Sequence, residues 1–513
     1  MKRLSLLIPG LLSLLFLCQA VTAQVATGIV YEDRNGNGKK ERREPGIPGV
    51  SVSNGREVVQ TDADGRYTLP ARDDMILSVI KPTGYQVPVN ELNQPQFFYI
   101  HKPSGSPELK YAGTPPTGEL PGSVDFGLIR SEEPERFRAF IFGDPQPYNL
   151  KEIDYFAKAI VSEVEKAEDR VFGLSLGDIA GDNLDLHEPY SRVIARAGIP
   201  WYNVMGNHDM NYDATEDKYA DEAFEAHFGP ANYAFNYGKV HFIVLDNILY
   251  PDPRDGKGYW GGFREDQLEF VENDLKFVPK DYLVVVSFHI PLLGNGNAFR
   301  SEDRERMLEL LAQFPHTLSL SAHTHYQKQH FHKGHHHYNV GTTSGDWYSG
   351  SFGPDGTPSS MMRDGTPKGY ATLTFDGNQY VIDYKVAGQP EDYRMEIHTP
   401  KVVPHNARYN GEITVNFFAG GEKDTVEYRI DNGPWKTMQR VEAFDPTLEY
   451  IHHEWDYSTT LPSGRRPSHP ILSSHIWKAR IPSDLPVGEH RVEVRVKDMF
   501  GRTHTDTRTY RIQ

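Results

Sequence analysis

Five apolar runs in the middle of the chain each end on a short polar segment that carries Asp, Asn or His. The runs are Phe137 to Phe142, Val171 to Leu176, Trp201 to Met205, Leu283 to Phe288 and Thr317 to Ser321. Runs of five or six residues this rich in apolar side chains predict buried strands. Amphipathic stretches lie between and around them, predicting helices over Leu150 to Lys166, Leu186 to Ala197, Glu265 to Phe277 and Glu302 to Phe314. The last has Ser301 as its expected N-cap and acids in its first turn. Alternation of strand and helix across residues 135–392 argues an α/β domain.

The pattern changes on either side. Residues 24–130 read as short strands separated by Gly, Asn and Pro turns, such as Thr61-Asp62-Ala63-Asp64-Gly65. A Pro/Gly-rich stretch, Lys102 to Gly122, and the polar linker Ser131-Glu132-Glu133-Pro134 close that region. From 395 to 513 helices are expected to vanish. Period-two alternation returns there, as in Glu412 to Phe417 and His490 to Val496, predicting a small β-sandwich.

At 513 residues the chain is too long for one core, and 38% apolar with 24% charged residues fits a folded protein. Met1-Lys2-Arg3, the apolar run Leu4 to Leu17 and the small residues Val21-Thr22-Ala23 predict a cleavable signal over residues 1–23, hence a secreted or periplasmic protein. Cys18 is the only cysteine, so disulfides and thiolate metal sites are excluded from the mature chain. Losing Lys2 and Arg3 takes the net charge from −16 to −18, because residues 1–23 hold no acid. Such a surface disfavours nucleic acid and anionic lipid as non-specific partners. No later segment is apolar enough to span a membrane.

The polar segments after the five runs are Gly143-Asp144-Pro145-Gln146, Gly177-Asp178, Gly206-Asn207-His208-Asp209, His289 and Ala322-His323-Thr324-His325. Side chains at the carboxyl ends of strands in an α/β sheet converge in space. Two carboxylates, two amides and three imidazoles form a donor set for two divalent ions such as Mn, Fe, Zn or Mg. Asp178, with two oxygens, is placed to bridge. Asp144, His325 and the carbonyl of Gln146 would complete one shell; Asn207, His289 and His323 would complete the other. Two such ions against two carboxylates leave a centre of about +2, suited to a phosphate ester and to a hydroxide formed from a bridging water. His208, beside the ligands rather than among them, is the expected general acid, with Asp209 to orient it.

This set of segments resembles the calcineurin-like metallophosphoesterases. Asn211-Tyr212-Asp213, His227-Phe228-Gly229-Pro230 and Asp364-Gly365-Thr366-Pro367 look like the subgroup with extra N-terminal and C-terminal β-domains. The resemblance implies a four-layer α/β/β/α sandwich and hydrolysis of phosphate mono- or diesters of small-molecule, sugar or lipid type. Three positions depart from the family pattern. Gln146 stands where His is usual, Ala322 where Gly is common, and Gly181 where the second carboxylate is usual, with Asp182 next to it. Because Gly181 is not Tyr, a ferric tyrosinate site is not expected. A non-catalytic surface binding or scaffolding protein on the same fold is the alternative reading.

Asp33-x-Asn35-x-Asn37-Gly38, with Glu44 further on, has the spacing of a Ca²⁺ loop and makes calcium a second expected ion. His332, His335, His336 and His337 flank the turn Lys333-Gly334. They are expected on solvent-facing strands, and His187 on a helix surface.

Overall fold

A computed structural model describes residues 24–294 and 296–513. The expected signal segment, residues 1–23, lies outside the described residues. Two mixed sheets form the middle of the molecule. One has five strands in the order 201–204, 170–176, 136–142, 369–376 and 379–386. The other has six, in the order 233–237, 240–244, 283–287, 317–321, 335–339 and 328–332. Within each sheet the strands that lead into the polar segments run parallel to one another.

The sheets face each other across a dry interface built from alternate residues of the apolar runs: Ala139, Ile141, Leu174 and Leu176 from one, Phe242, Val285, Leu318 and Leu320 from the other. Phe172 and Phe242 meet edge-on across this interface, centroids 5.3 Å apart. The opposite faces, including Phe140, Phe142, Val284 and Val286, are covered by helices through Phe156, Ile160, Leu268 and Met307. A strand between a helix layer and a second sheet has no wet face, so even the serines of these runs, Ser175, Ser287, Ser319 and Ser321, are buried. The arrangement is the four-layer α/β/β/α sandwich that the resemblance implies.

The N-terminal part contains two four-stranded sheets, and the C-terminal part a four- and a five-stranded sheet packed around Val415, Trp477, Val494 and Val496. The C-terminal part is not free of helix, because Pro446–Tyr457 forms one. Asp445 caps it, its carboxylate accepting from Leu448 N at 3.0 Å, and Pro446 takes the first turn, where no N–H is needed. Asp445-Pro446 is a helix start signal set within a region of period-two alternation.

Other elements shift in detail. The helix expected over Leu150 to Lys166 is interrupted by a wider π turn at Ala157–Val161. The expected N-cap Ser301 lies inside its helix, which runs Ser301–Leu311 and has no side-chain cap. His335, His336 and His337 are buried rather than solvent-facing, because their strand lies inside the six-stranded sheet. His332 is exposed. His187 is buried too.

Candidate metal centre

The five polar segments meet at the carboxyl edge of both sheets. Asp144, Gln146, Asp178, Asn207 and His208 come from the five-stranded sheet, and His289, His323 and His325 from the six-stranded one. Gly206 explains how closely the loops approach, since a Cβ there would fall 2.0 Å from Asp178 N. At Gly177 (φ +92°) a Cβ would meet His289 Nδ1 at 2.5 Å. Asp144, Gln146, Asp178, His323 and His325 all adopt positive φ, between 35° and 70°. Left-handed backbone at five non-glycine residues of one cluster is strain of the kind found at functional sites.

His289 is the hub. Its Nε2 lies 3.2 Å from Asp178 Oδ1, 3.1 Å from Asn207 Oδ1, 3.2 Å from His323 Nδ1 and 4.0 Å from Asp144 Oδ1. Its Nδ1 is 2.7 Å from Leu176 O and donates to it, which turns Nε2 toward the cluster. His325 repeats the device: Nδ1 donates to Gly345 O at 2.9 Å, and Nε2 faces Asp144 Oδ1 at 3.7 Å. Asp178, His289 and His323 each offer a ligand atom within 4.8 Å of the others. Asp144 Oδ1 and Gln146 Oε1 are buried with no hydrogen-bond partner. Acceptor atoms turned on one another without donors are what a cation would satisfy, and the residues therefore fit divalent ions.

The electrostatics agree. Burial holds His323 down at about 3 and His325 at about 4, leaving both neutral. Burial also opposes a proton on His289, but the Asp178 carboxylate outweighs it and raises the imidazole to about 9. For Asp178, burial opposes ionisation, and the surrounding His289 and His208 reverse that, holding the carboxyl below its usual range. Burial pushes Asp144 well above the usual range. The cluster as it stands recruits a proton where positive charge is called for.

His208 is half-buried at the edge of the cluster, with Nε2 4.0 Å from Asp178 Oδ2. Asp209 does not orient it, contrary to expectation. The Asp209 carboxylate is fully buried and accepts from Ile179 N, Ala180 N and Gly206 N at 2.9–3.0 Å, with His187 Nε2 at 3.1 Å. It ties the Gly177 and Gly206 loops together from below. The carboxylate that reaches His208 is Asp182, whose Oδ1 lies 2.6 Å from Nδ1. Side chains adjacent in sequence in a tight turn point apart, so the neighbour of His208 faces the core. Gly181 leaves room for the Tyr148 ring; a Cβ there would fall 2.7 Å from three ring carbons.

Three aromatic residues complete the rim, and of these Trp347 and Tyr148 carried no sequence signal. Trp347 stacks on His325 with centroids 4.2 Å apart, and Tyr148 meets His208 edge-on at 6.3 Å. Tyr212 donates from its hydroxyl to Asn207 O at 2.6 Å. In the N-terminal loop the calcium candidates bond to the loop itself. Asp33 accepts from Gly36 N and Gly38 N at 2.8 Å, Asn35 from Asn37 N at 3.0 Å, Asn37 from Lys39 N at 2.8 Å, and Glu44 from Arg34 N at 3.0 Å. A polar turn accounts for those four residues without an ion.

Three family models match the chain: the N terminal of calcineurin-like phosphoesterase over residues 34–112, calcineurin-like phosphoesterase over 137–327, and the C terminal of calcineurin-like phosphoesterase over 337–504. No curated protein matches. Among solved structures, a purple acid phosphatase from yellow lupin seeds is 16% identical, with 66% of this chain and 67% of that one covered and a TM-score of 0.36. GAP50, the anchor in the inner membrane complex of Plasmodium, is 19% identical over 48% of this chain and 84% of its own, at a TM-score of 0.32. A phosphopantetheinyl hydrolase from Mycobacterium tuberculosis is 12% identical over 40% and 90%, at 0.30. At these scores none of the three bears on the chemistry. The chain belongs to the calcineurin-like phosphoesterases that carry N-terminal and C-terminal extensions, metal-dependent hydrolases of phosphate esters.

Proposed function

We propose that this chain is an exported phosphoesterase that binds two divalent ions and hydrolyses phosphate mono- or diesters. The observation that carries the reading is the ring of buried acceptors around His289 Nε2, with Asp144 Oδ1 and Gln146 Oε1 left without donors. One ion would be held by Asp144, Gln146, Asp178 and His325, the other by Asp178, Asn207, His289 and His323. When bound, the ions would supply positive charge against phosphoryl oxygens and lower the pKa of a water.

The chain's own groups supply the rest. His289 and His325 are held in the tautomer that offers Nε2, through Leu176 O and Gly345 O. His208 N donates to Asp178 Oδ1 at 2.9 Å, which fixes the histidine beside the bridging carboxylate. With its Nδ1 proton held by Asp182, His208 would present Nε2–H to the leaving oxygen and give up that proton as the ester bond breaks. Trp347 covers His325 and keeps water from that side.

The reading is tested by hydrolysis of p-nitrophenyl phosphate and bis-p-nitrophenyl phosphate with Mn²⁺, Fe²⁺, Zn²⁺ or Mg²⁺ supplied, alongside His208→Ala. Turnover by the parent that collapses in the variant, with ion content retained, supports it. Bound ions without turnover of either ester would favour a binding protein on this fold.

A further inference from the structure

The loop after the helix Pro446–Tyr457 returns from the C-terminal β-region to the mouth of the metal centre. Gly350 N donates to Arg465 O at 2.7 Å, which docks the loop on the catalytic part. Gly464 (φ +96°) makes the approach possible, since a Cβ there would fall 2.1 Å from Gly350 O. From that position Arg465 donates through Nη2 to the carbonyl of Trp347, the residue lying flat on His325. Its charge also acts on the phenol of Tyr148, the ring beside His208. Arg465 therefore overlooks both sides of the opening.

The next residue is a useful contrast. Arg466 is engaged by Asp456 in two hydrogen bonds of 2.8 Å. Arg465 is exposed and has no carboxylate at ion-pair distance among the described residues. Only one of its five N–H donors is taken, by Trp347 O. In a chain of net charge −16, an exposed guanidinium beside a phosphate-ester site, with four donors not taken by any acceptor among the described residues, is complementary to an anion. It stands one side-chain layer outside the ligands, because Trp347 lies between it and His325. A phosphoryl group on the ligand set would be gripped there, and Arg465 would meet whatever is attached to it.

We propose that Arg465 is a specificity-determining residue that receives a second anionic group, so that the preferred substrate is a phosphate ester bearing a further phosphate. The proposal rests on the phosphoesterase reading. It also makes the C-terminal region part of the active site.

Calorimetry on the Mn²⁺-loaded protein, in a His208→Asn background that suppresses turnover, would compare glucose 1-phosphate with glucose 1,6-bisphosphate. The bisphosphate is expected to bind more tightly by about tenfold, the worth of a charge-assisted pair at a partly exposed site. Arg465→Gln, which retains an amide donor for Trp347 O, should abolish that ratio. Arg465→Lys, which restores charge, should recover most of it. A purely structural role for Arg465 would weaken both ligands alike and leave the ratio standing. Equal binding of the two sugars by the parent, or an undiminished ratio in Arg465→Gln, overturns the proposal. A preserved ratio in a parent that hydrolyses neither sugar would instead count against the phosphoesterase reading alone.

Discussion

The six-stranded sheet carries two buried clusters of imidazoles, built in opposite ways. At its carboxyl edge His289 and His323 face each other at 3.2 Å, with Asp178 equally close. Further down the same sheet the imidazoles of the 335–339 strand alternate with hydroxyls. Thr317 Oγ1 meets His335 Nδ1 at 2.9 Å, His335 Nε2 meets Ser319 Oγ at 2.8 Å, and Ser319 Oγ meets His337 Nδ1 at 2.8 Å. Ser321 continues the chain to Asn339. The second cluster is nearly closed: both ring nitrogens of His335 and of His337 meet a hydroxyl, and of this strand's imidazoles only His336 leaves a buried nitrogen, Nε2, without a partner. The first is open: Asp144 Oδ1 and Gln146 Oε1 are buried there with no donor among the described residues, while His289 Nε2, His323 Nδ1 and Asn207 Oδ1 crowd one another. Composition does not separate a metal centre from a structural histidine tract, since both are rich in buried imidazole; the pairing of acceptors with donors does.

The sharpest way to break the comparison is at Asp178. Asp178→Asn should remove the shared ligand, lowering kcat/KM by more than about a thousandfold and cutting ion content as read by atomic emission. Retention of both ions would defeat the bridging role. His208→Ala comes next, with kcat down by about a hundred- to ten-thousandfold and ion content unchanged. Asp182→Asn should reproduce a smaller part of that loss, whereas Asp209→Asn should act on the denaturation midpoint, because Asp209 holds three backbone N–H groups and does not touch His208.

The closed cluster is predicted to answer to acid rather than to metal. Burial holds His335 at about 4 and His336 at about 3, both below the ordinary value of about 6.5. The folded state therefore binds fewer protons than the unfolded one, and stability should be full above pH 6.5 and fall as pH drops toward 4. Replacing His336 with Phe should flatten that fall in urea midpoints measured between pH 7 and 4; an unchanged slope would count against it. Ser319→Ala strands one nitrogen of His335 and one of His337, for a loss of about 1–3 kcal/mol with ion affinity untouched. The smallest change is Gln146→His, which should raise Zn²⁺ affinity by about tenfold, read by chelator competition, because imidazole suits that ion better than an amide oxygen.

The residues that gather around His289 were legible as candidates in the sequence because each follows an apolar run, and a buried strand can end only where its backbone reaches polar surroundings. The same local logic located the strands to within a residue or two, and the absence of cysteine after Cys18 limited the donors of the middle region to nitrogen and oxygen. What the sequence did not determine is direction and company. Asp209 and Asp182 are both acids near His208 in the site; only the fold turns one into the core and the other onto the imidazole. His187 and the 335–337 tract read as surface because histidine is polar, yet their neighbours across the sheet and helix bury them and supply partners. Arg465 lies 118 residues from the Trp347 carbonyl it holds, and no pattern links the two. Periodicity records whether a residue is near apolar surface along its own element; which distant element arrives opposite, and with what atom, is settled by tertiary packing alone.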